Sequence, residues 1–332
     1  MLDVGHGNCT ILRDGDKCAV IDAAPGDTLF DELEQSGVKS IEHLVLSHAD
    51  HDHMGNAVKL LWDKRFEVKY LWYNPDGMKS SKAWERLARQ AHLLHRQGQL
   101  PPPRPAHSAA GDALSFGRVQ IQVLHPDIEL WTHGPTKKST SLGMLTANTL
   151  SIVLHVSLDR EPAALLTADI DALALERIQD LDGLPQAPVL VFPHHGGLCG
   201  EGQPREFART ICHAVRPEVV IFSMARGGRY ENPNPEIVAG VREAVPDAHI
   251  ACTQLSSQCH VDVMTIGRRD LAPKPAAGRS TGSCCAGSVS VKKTDSGIAL
   301  DPDPKTHRVF VDLVPSALCR RLPVPGPRSS QQ

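Results

Sequence analysis

Ser47-His48-Ala49-Asp50-His51-Asp52-His53-Met54-Gly55 follows directly on the apolar run Ile41–Leu46. The run reads as a buried strand that stops at Ser47. Three histidines and two aspartates then crowd into positions 48–53. A loop leaving a sheet edge can turn His48, Asp50, Asp52 and His53 into one concave spot. Gly55 supplies the tight turn into a helix over Asn56–Trp62. Solvated turns favour Asn, Gly and Ser over alternating His and Asp. Imidazole and carboxylate donors together suit zinc, manganese or iron. The stretch predicts a metal site at a strand end.

Four other stretches place polar clusters at the ends of apolar strands: Leu2–Asn8, Ala147–Ser151, Leu165–Asp169 and Val191–Gly197. Strand ends on one side of a sheet lie close in space, so these clusters can converge on the His/Asp loop. Between them, Cys9–Arg13 and Cys18–Asp22 read as a hairpin, and Asp27–Ser36 as a helix ended by Gly37. Val68–Tyr73 reads as a strand and Ser80–Gln97 as a helix, with Leu87, Ala91 and Leu94 on one face. The proline-rich Leu100–Ala110 reads as a loop. Strands are expected over Ala113–Leu124, Leu150–Ser157, Ala163–Ala168, Val189–Phe192, Val219–Ser223 and Ile250–Thr253. Helices are expected over Ile170–Asp180, Arg205–Val215 and Pro235–Val245. Two strand sets interleaved with helices indicate a layered α/β sandwich, not one doubly wound sheet.

The 332 residues carry a formal net charge of −3, which gives no global pull toward nucleic acid or anionic lipid. Positive charge is local, with nine Lys/Arg against four Asp/Glu from Lys274 to Arg328. No apolar run is long enough to span a bilayer, and the first residues lack a signal peptide's basic and apolar regions. A cytoplasmic address is the default expectation. Nine cysteines, an odd number without a dense framework, fit a reduced compartment. Cys252, Cys259, Cys284 and Cys285 lie with His260 in one stretch. A structural zinc there competes with the plainer reading of small buried thiols. From Ala272 to Ser288 the composition reads as linker. A short β pair, Val289–Val291 with Val309–Val314, and a disordered end are expected after it.

The combination of Asp3–Gly7, His48–His53, Asn148–Ser151, Thr167–Asp169 and His194–Gly197 resembles the metallo-β-lactamase superfamily, and within it the ComEC-like branch. That branch has a "DVGQG"-like start, an HxDxDH loop, an "N-x-x-S" strand entry, a "TGD" and an "HHGS". Arg229–Pro233 resembles its "N-R-Y-x-H-P". The resemblance implies a four-layer αββα sandwich over residues 1–265, with 266–332 as a Pro/Gly-rich linker and basic C-terminal extension. It further implies two divalent ions, Zn²⁺ or Mn²⁺. His48 and Asp50 would hold the first, Asp52 and His53 the second, and Asp169 would bridge them. One of His194 and His195 completes the second site and the other reaches substrate. The working assignment puts His194 on the metal and His195 with Asp52 in catalysis. Asn148, Arg229 and Tyr230 are the expected substrate contacts. Superfamily members usually have His where Asp50 and Asn148 stand, and the harder donor set favours Mn²⁺. Gly197 and Asn232 replace the branch's Ser and His.

No Ser-His-Asp arrangement, P-loop or GxGxxG fingerprint is apparent, whereas hydrolysis by a metal-bound hydroxide has support, with Asp52 orienting the water or taking its proton. The branch is associated with phosphodiester cleavage, so a phosphodiesterase or nuclease acting on DNA or RNA is expected. Alternatives are a small phosphoester or carboxylic ester hydrolase and a degenerate metal-binding module. The segment Ser80–Gly111 is a candidate lid, with Lys79, Lys82, Arg86 and Arg89 available to phosphates. His51 is expected to point away. His6 either lines the site or merely occupies its loop.

Overall fold

A computed structural model describes residues 1–74, 81–136, 141–227, 230–263, 268, 271, 273–295 and 297–320. The described elements, in chain order, begin with β1 (Thr10–Asp14), β2 (Lys17–Ile21), α1 (Thr28–Gln35), β3 (Ser40–Leu46), α2 (His51–Met54), α3 (Ala57–Trp62) and β4 (Glu67–Tyr73). They continue with α4 (Lys82–Arg96), β5 (Arg104–Pro105), β6 (Val119–His125), α5 (Ile128–His133), β7 (Val153–Leu158) and β8 (Glu161–Leu166). Next come α6 (Ala172–Asp180), β9 (Val189–Val191), α7 (Pro204–Val215), β10 (Val219–Phe222), α8 (Pro235–Ala244) and β11 (His249–Cys252). The last are β12 (Ser290–Thr294), β13 (Gly297–Asp301) and α9 (Pro304–Leu313).

Two sheets are stacked, ordered β1-β2-β3-β4-β5 and β11-β10-β9-β8-β7-β6. Strand alternation decides what each face covers. In β2, Ala19 and Ile21 face the second sheet with Val45 of β3 and Trp72 of β4, while Cys18 and Val20 face a helical layer. That layer is α1, α3 and α4, through Leu29, Leu33, Leu60, Leu87 and Ala91. On the second sheet, Leu190 and Val220 turn outward to α6, α7 and α8, and Val191 turns inward to the first sheet. The result is helix, sheet, sheet, helix. Strands β2 to β5 run parallel, as do β8 to β11, so their C-terminal ends share one rim.

Several expectations change. His51–Met54 forms one helical turn inside the stretch read as loop. Arg104–Pro105, in the proline-rich segment, pairs with Trp72 and Tyr73 as an edge strand, where proline's missing N–H costs nothing. Segment Val309–Val314 is not a strand: Pro304–Leu313 is a helix capped by Asp303, and β12 pairs with β13 instead. The composition-based linker is largely buried around Ser283–Val289. Buried Asp3 holds it by accepting from the Gly278 N–H at 3.0 Å and from Gln254 at 2.8 Å. Ala286 and Val289 cover the far end of the second sheet's inner face. Lys79, Arg229 and the chain's last ten residues lie outside the described residues.

His43 sits between the sheets, stacked near Tyr70 and accepting the Trp72 indole N–H on Nδ1 at 3.2 Å. Burial pushes its pKa down to about 4. An unfolded histidine titrates near ~6.5. Between those values the unfolded chain takes a proton that the folded chain refuses, so stability falls as pH drops. We expect the urea midpoint to decline from about pH 6.5 toward about pH 4, and the decline to flatten in His43→Phe. Parallel pH profiles for the two proteins would exclude this assignment.

Candidate metal centre

Four side chains from three strand ends face one another at the shared rim. Asp52 and His53 follow β3, Asp169 follows β8 and His195 follows β9, and their ligand atoms all lie within 4.8 Å of one another. His53 Nε2 stands 3.1 Å from Asp169 Oδ1, and His195 Nε2 stands 3.3 Å from Asp52 Oδ2 and 3.6 Å from Asp169 Oδ2. His53 Nε2, His195 Nε2 and Asp169 Oδ1 are buried yet make no aligned hydrogen bond. Buried polar atoms normally find partners, so atoms aimed at a common centre without pairing are what a cation would satisfy.

The rings are held from behind. Asp22, at the end of β2, accepts from His53 Nδ1 at 2.7 Å and from the Ser47 N–H and Oγ at 2.7 and 2.9 Å. His195 Nδ1 donates to the Ser223 carbonyl at 2.8 Å. With Nδ1 donating in both rings, Nε2 carries the lone pair that faces the centre. His48 has Ser47 and Ser151 hydroxyls 3.0 and 3.1 Å from Nδ1, and its Nε2 lies 3.9 Å from Asp169.

Charge makes the same point. Burial opposes ionisation of Asp169, but His53, His195 and His48 outweigh it and hold the carboxyl well below its ordinary range. Burial likewise opposes ionised Asp52, and the facing His195, His6 and His53 outweigh it and hold the carboxyl well below its ordinary range. Against burial, Asp169 and Asp22 hold His53 well above the usual imidazole range, and Asp169 and Asp52 raise His195. The carboxylates demand positive charge here, which either protons or metal ions supply.

Backbone geometry sets which of the paired histidines reaches the centre. His194 and His195 both adopt left-handed torsions, with φ of 52° and 56°. This kink sends His195 into the cluster and leaves His194 on the cleft wall, outside it. Asp50 and Asn148 also line this cleft of about 630 Å³, with His51, Tyr230 and Glu231. His51, expected to point away, is therefore part of the wall. His6 lines the cleft too, its Nε2 3.2 Å from Asp52 Oδ2 and its ring stacked 5.6 Å from Tyr230. Gly7 lets this segment pass, because a Cβ there would stand 2.2 Å from the Asp52 carbonyl oxygen at a φ of +127°. No residue of 81–111 lines the cleft, and α4 packs instead in the outer helical layer. Asp22 and Ser223 escaped sequence reasoning, and Ser47 and Ser151, although inside the singled-out stretches, were given no role. The only signal was a polar residue just past an apolar strand.

The family model described as the metallo-beta-lactamase superfamily matches residues 2–150. The chain is 26% identical over 206 residues to ComE operon protein 3 of Bacillus subtilis, covering 62% of this chain and 23% of that protein. The chain therefore spans about a quarter of that curated relative's length. Among solved structures, it is similar to YhfI from Bacillus subtilis, a metallo-beta-lactamase fold protein, at 12% identity and TM-score 0.47, covering 76% of this chain and 94% of that one. It is also similar to Igni18, a metallo hydrolase from Ignicoccus hospitalis, at 18% identity and TM-score 0.40, covering 75% and 91%. Residues 2–150 carry the metallo-β-lactamase superfamily signature, and the four-layer αββα arrangement is that superfamily's fold.

Removing the charge behind His53 should loosen the site without dismantling it. Asp22 has a φ of +61°, which Asn tolerates. Asp22→Asn is expected to keep the fold by circular dichroism and to weaken metal affinity by roughly 10–100-fold in chelator competition. Unchanged affinity would mean that the Asp22–His53 bond does not tune the site.

Proposed function

We propose that this chain, carrying the signature of a superfamily composed mostly of metal-dependent hydrolases, cleaves phosphodiester bonds at a dinuclear metal site. The Asp52–His53–Asp169–His195 cluster, with its inward nitrogens held by Asp22 and Ser223, is the observation that carries the reading. We assign His195 as the ligand in place of His194, together with Asp52, His53 and Asp169, and place His48 and Asp50 at the first ion. The resemblance to the ComEC-like branch supports the substrate class. Zinc and manganese both fit the mixed nitrogen and oxygen donors.

Two divalent ions at this spot would acidify a shared water, polarise a phosphoryl oxygen and neutralise the charge of a phosphodiester. The chain's own residues do the rest. Asp52, partly exposed to the cleft and held ionised by the facing imidazoles, would orient the attacking water. His6 holds that carboxylate in place from the cleft side. His194 and Asn148 stand on the wall where a substrate oxygen would lie, and Tyr230 offers a ring beside them.

A second reading, a small phosphoester hydrolase, is favoured by the wall's charge. Asp50, Asp52, Asp169 and Glu231 all line the cleft, and Gln258 holds Glu231 at 2.6 Å. With Asp50, Asp52 and Asp169 taken up by the ions, Glu231 is the acid left to repel the flanking phosphates of a long polyanion. Salt dependence separates the two, because a nuclease loses affinity steeply as salt rises.

The protein should be loaded with Mn²⁺ or Zn²⁺ and assayed on single- and double-stranded DNA, RNA and bis-p-nitrophenyl phosphate. Metal-dependent turnover is expected on at least one of them. Asp52→Ala should lose ~10²-fold or more of it. Rates no higher than those of Asp52→Ala on all four substrates would overturn the proposal. His195→Ala is expected to bind metal more weakly than His194→Ala, and the reverse order would return the ligand role to His194.

A further inference from the structure

Four of the nine cysteines meet far from the candidate metal centre's ligands in sequence. Cys252 ends β11, Cys259 closes the turn after it, Cys285 lies in the buried segment before β12, and Cys319 follows α9. All four are buried free thiols in one hydrophobic cluster, and all four line one apolar pocket beneath Pro233, Leu255 and Val311. Cys284 and His260, their sequence neighbours, are not on that pocket's wall.

Cationic groups stand around the thiols. Three arginines donate to the backbone carbonyls of the loops that carry the thiols. Arg268 bonds the Cys285 oxygen at 2.8 Å, and Arg242 bonds the Cys319 oxygen. Arg226 bonds the Leu255 and His260 oxygens at 2.9 and 2.7 Å, on both sides of Cys259. His307, fully buried, places Nε2 3.3 Å from Cys285 Sγ. A tetrathiolate with one divalent ion carries a net charge of about −2, which those cations offset. Burial keeps all four free thiols protonated, pushing Cys319 up to about 12 and raising Cys259 against the opposing Leu318 amide and Arg226.

We propose that Cys252, Cys259, Cys285 and Cys319 form a structural site for a soft divalent cation, zinc in the first instance. Binding replaces four S–H protons by four metal–sulfur bonds and releases the protons to solvent, with no change of oxidation state. Among the described residues the four Sγ atoms are not grouped as closely as the Asp52–His195 donors, so binding requires the thiols to turn toward one centre. The bound ion would tie the C-terminal helix to the end of β11. It would also brace the cleft rim, since Gln258 and Asn232 of the cleft wall adjoin Cys259 and Pro233 of the pocket.

Cobalt distinguishes the two metal sites, because thiolate ligands give intense near-ultraviolet charge-transfer bands that imidazole and carboxylate do not. The full chain, loaded with Co²⁺, should show these bands, and an Asp52→Ala/Asp169→Ala double variant should retain them. Cys259→Ser and Cys319→Ser should lose them, together with one zinc per chain in metal analysis of the zinc-loaded protein. The wild-type spectrum decides the matter even where a cysteine variant fails to fold. A wild-type cobalt protein without thiolate bands would overturn the site, as would intact-mass evidence of a disulfide among the four in protein purified under reducing conditions.

Discussion

One buried carboxylate organises the candidate metal centre. Asp22 is fully enclosed and receives the Ser47 amide, the Ser47 hydroxyl and His53 Nδ1 within 2.9 Å. It thereby locks the end of β2 to the loop leaving β3, fixes the His53 tautomer, and supplies charge behind the ligand. Bonds to an ionised acceptor in a dry interior are stronger than neutral ones, and leaving any of these donors unpaired there is costly. The His/Asp loop can then keep its imidazole nitrogens turned toward the carboxylates of Asp169 and Asp52.

The legible part of the site was the part written in neighbouring residues. His48–His53 and Asp169 announce themselves because apolar strands seldom end in metal-binding side chains. Choosing between His194 and His195 was not possible from spacing, since two successive left-handed residues, not a helical or strand period, direct the rings. Asp22 was invisible for a different reason: one aspartate after an apolar strand is commonplace, and its partner lies 31 residues away. Ser223 is equally ordinary as sequence, and Ser47 and Ser151 stand in the singled-out stretches without any sign of the contacts they make.

The two-sheet architecture was readable from alternation, and the misreadings came from locally ambiguous segments. Val309, Val311 and Val314 are β-branched and suggested a strand. Asp303 caps the segment by accepting from Lys305 and Thr306, Pro304 occupies the first turn, and Phe310 and Val311 bury one face, so a helix results. That capping pattern stood in the sequence and outweighs β propensity. The Gly/Ser-rich stretch before it is a different case. Small residues there permit close packing on Asp3, where a Cβ at Gly278 would stand 3.0 Å from the carboxylate.

The metal-ligand group is also a closure that spans the chain. Ser151 reaches His48 across 103 residues, and Ser223 reaches the Gly7 carbonyl across 216. The stretch 2–150 supplies Asp52 and His53 but neither Asp169 nor His195. During synthesis, half of the donor set therefore emerges long before its counterpart, and ordering such distant segments carries an entropic cost paid before the contacts form. The four donors of the candidate group come together only when the segments of residues 52 and 195 reach one rim, so any ion held by all four would report completed topology.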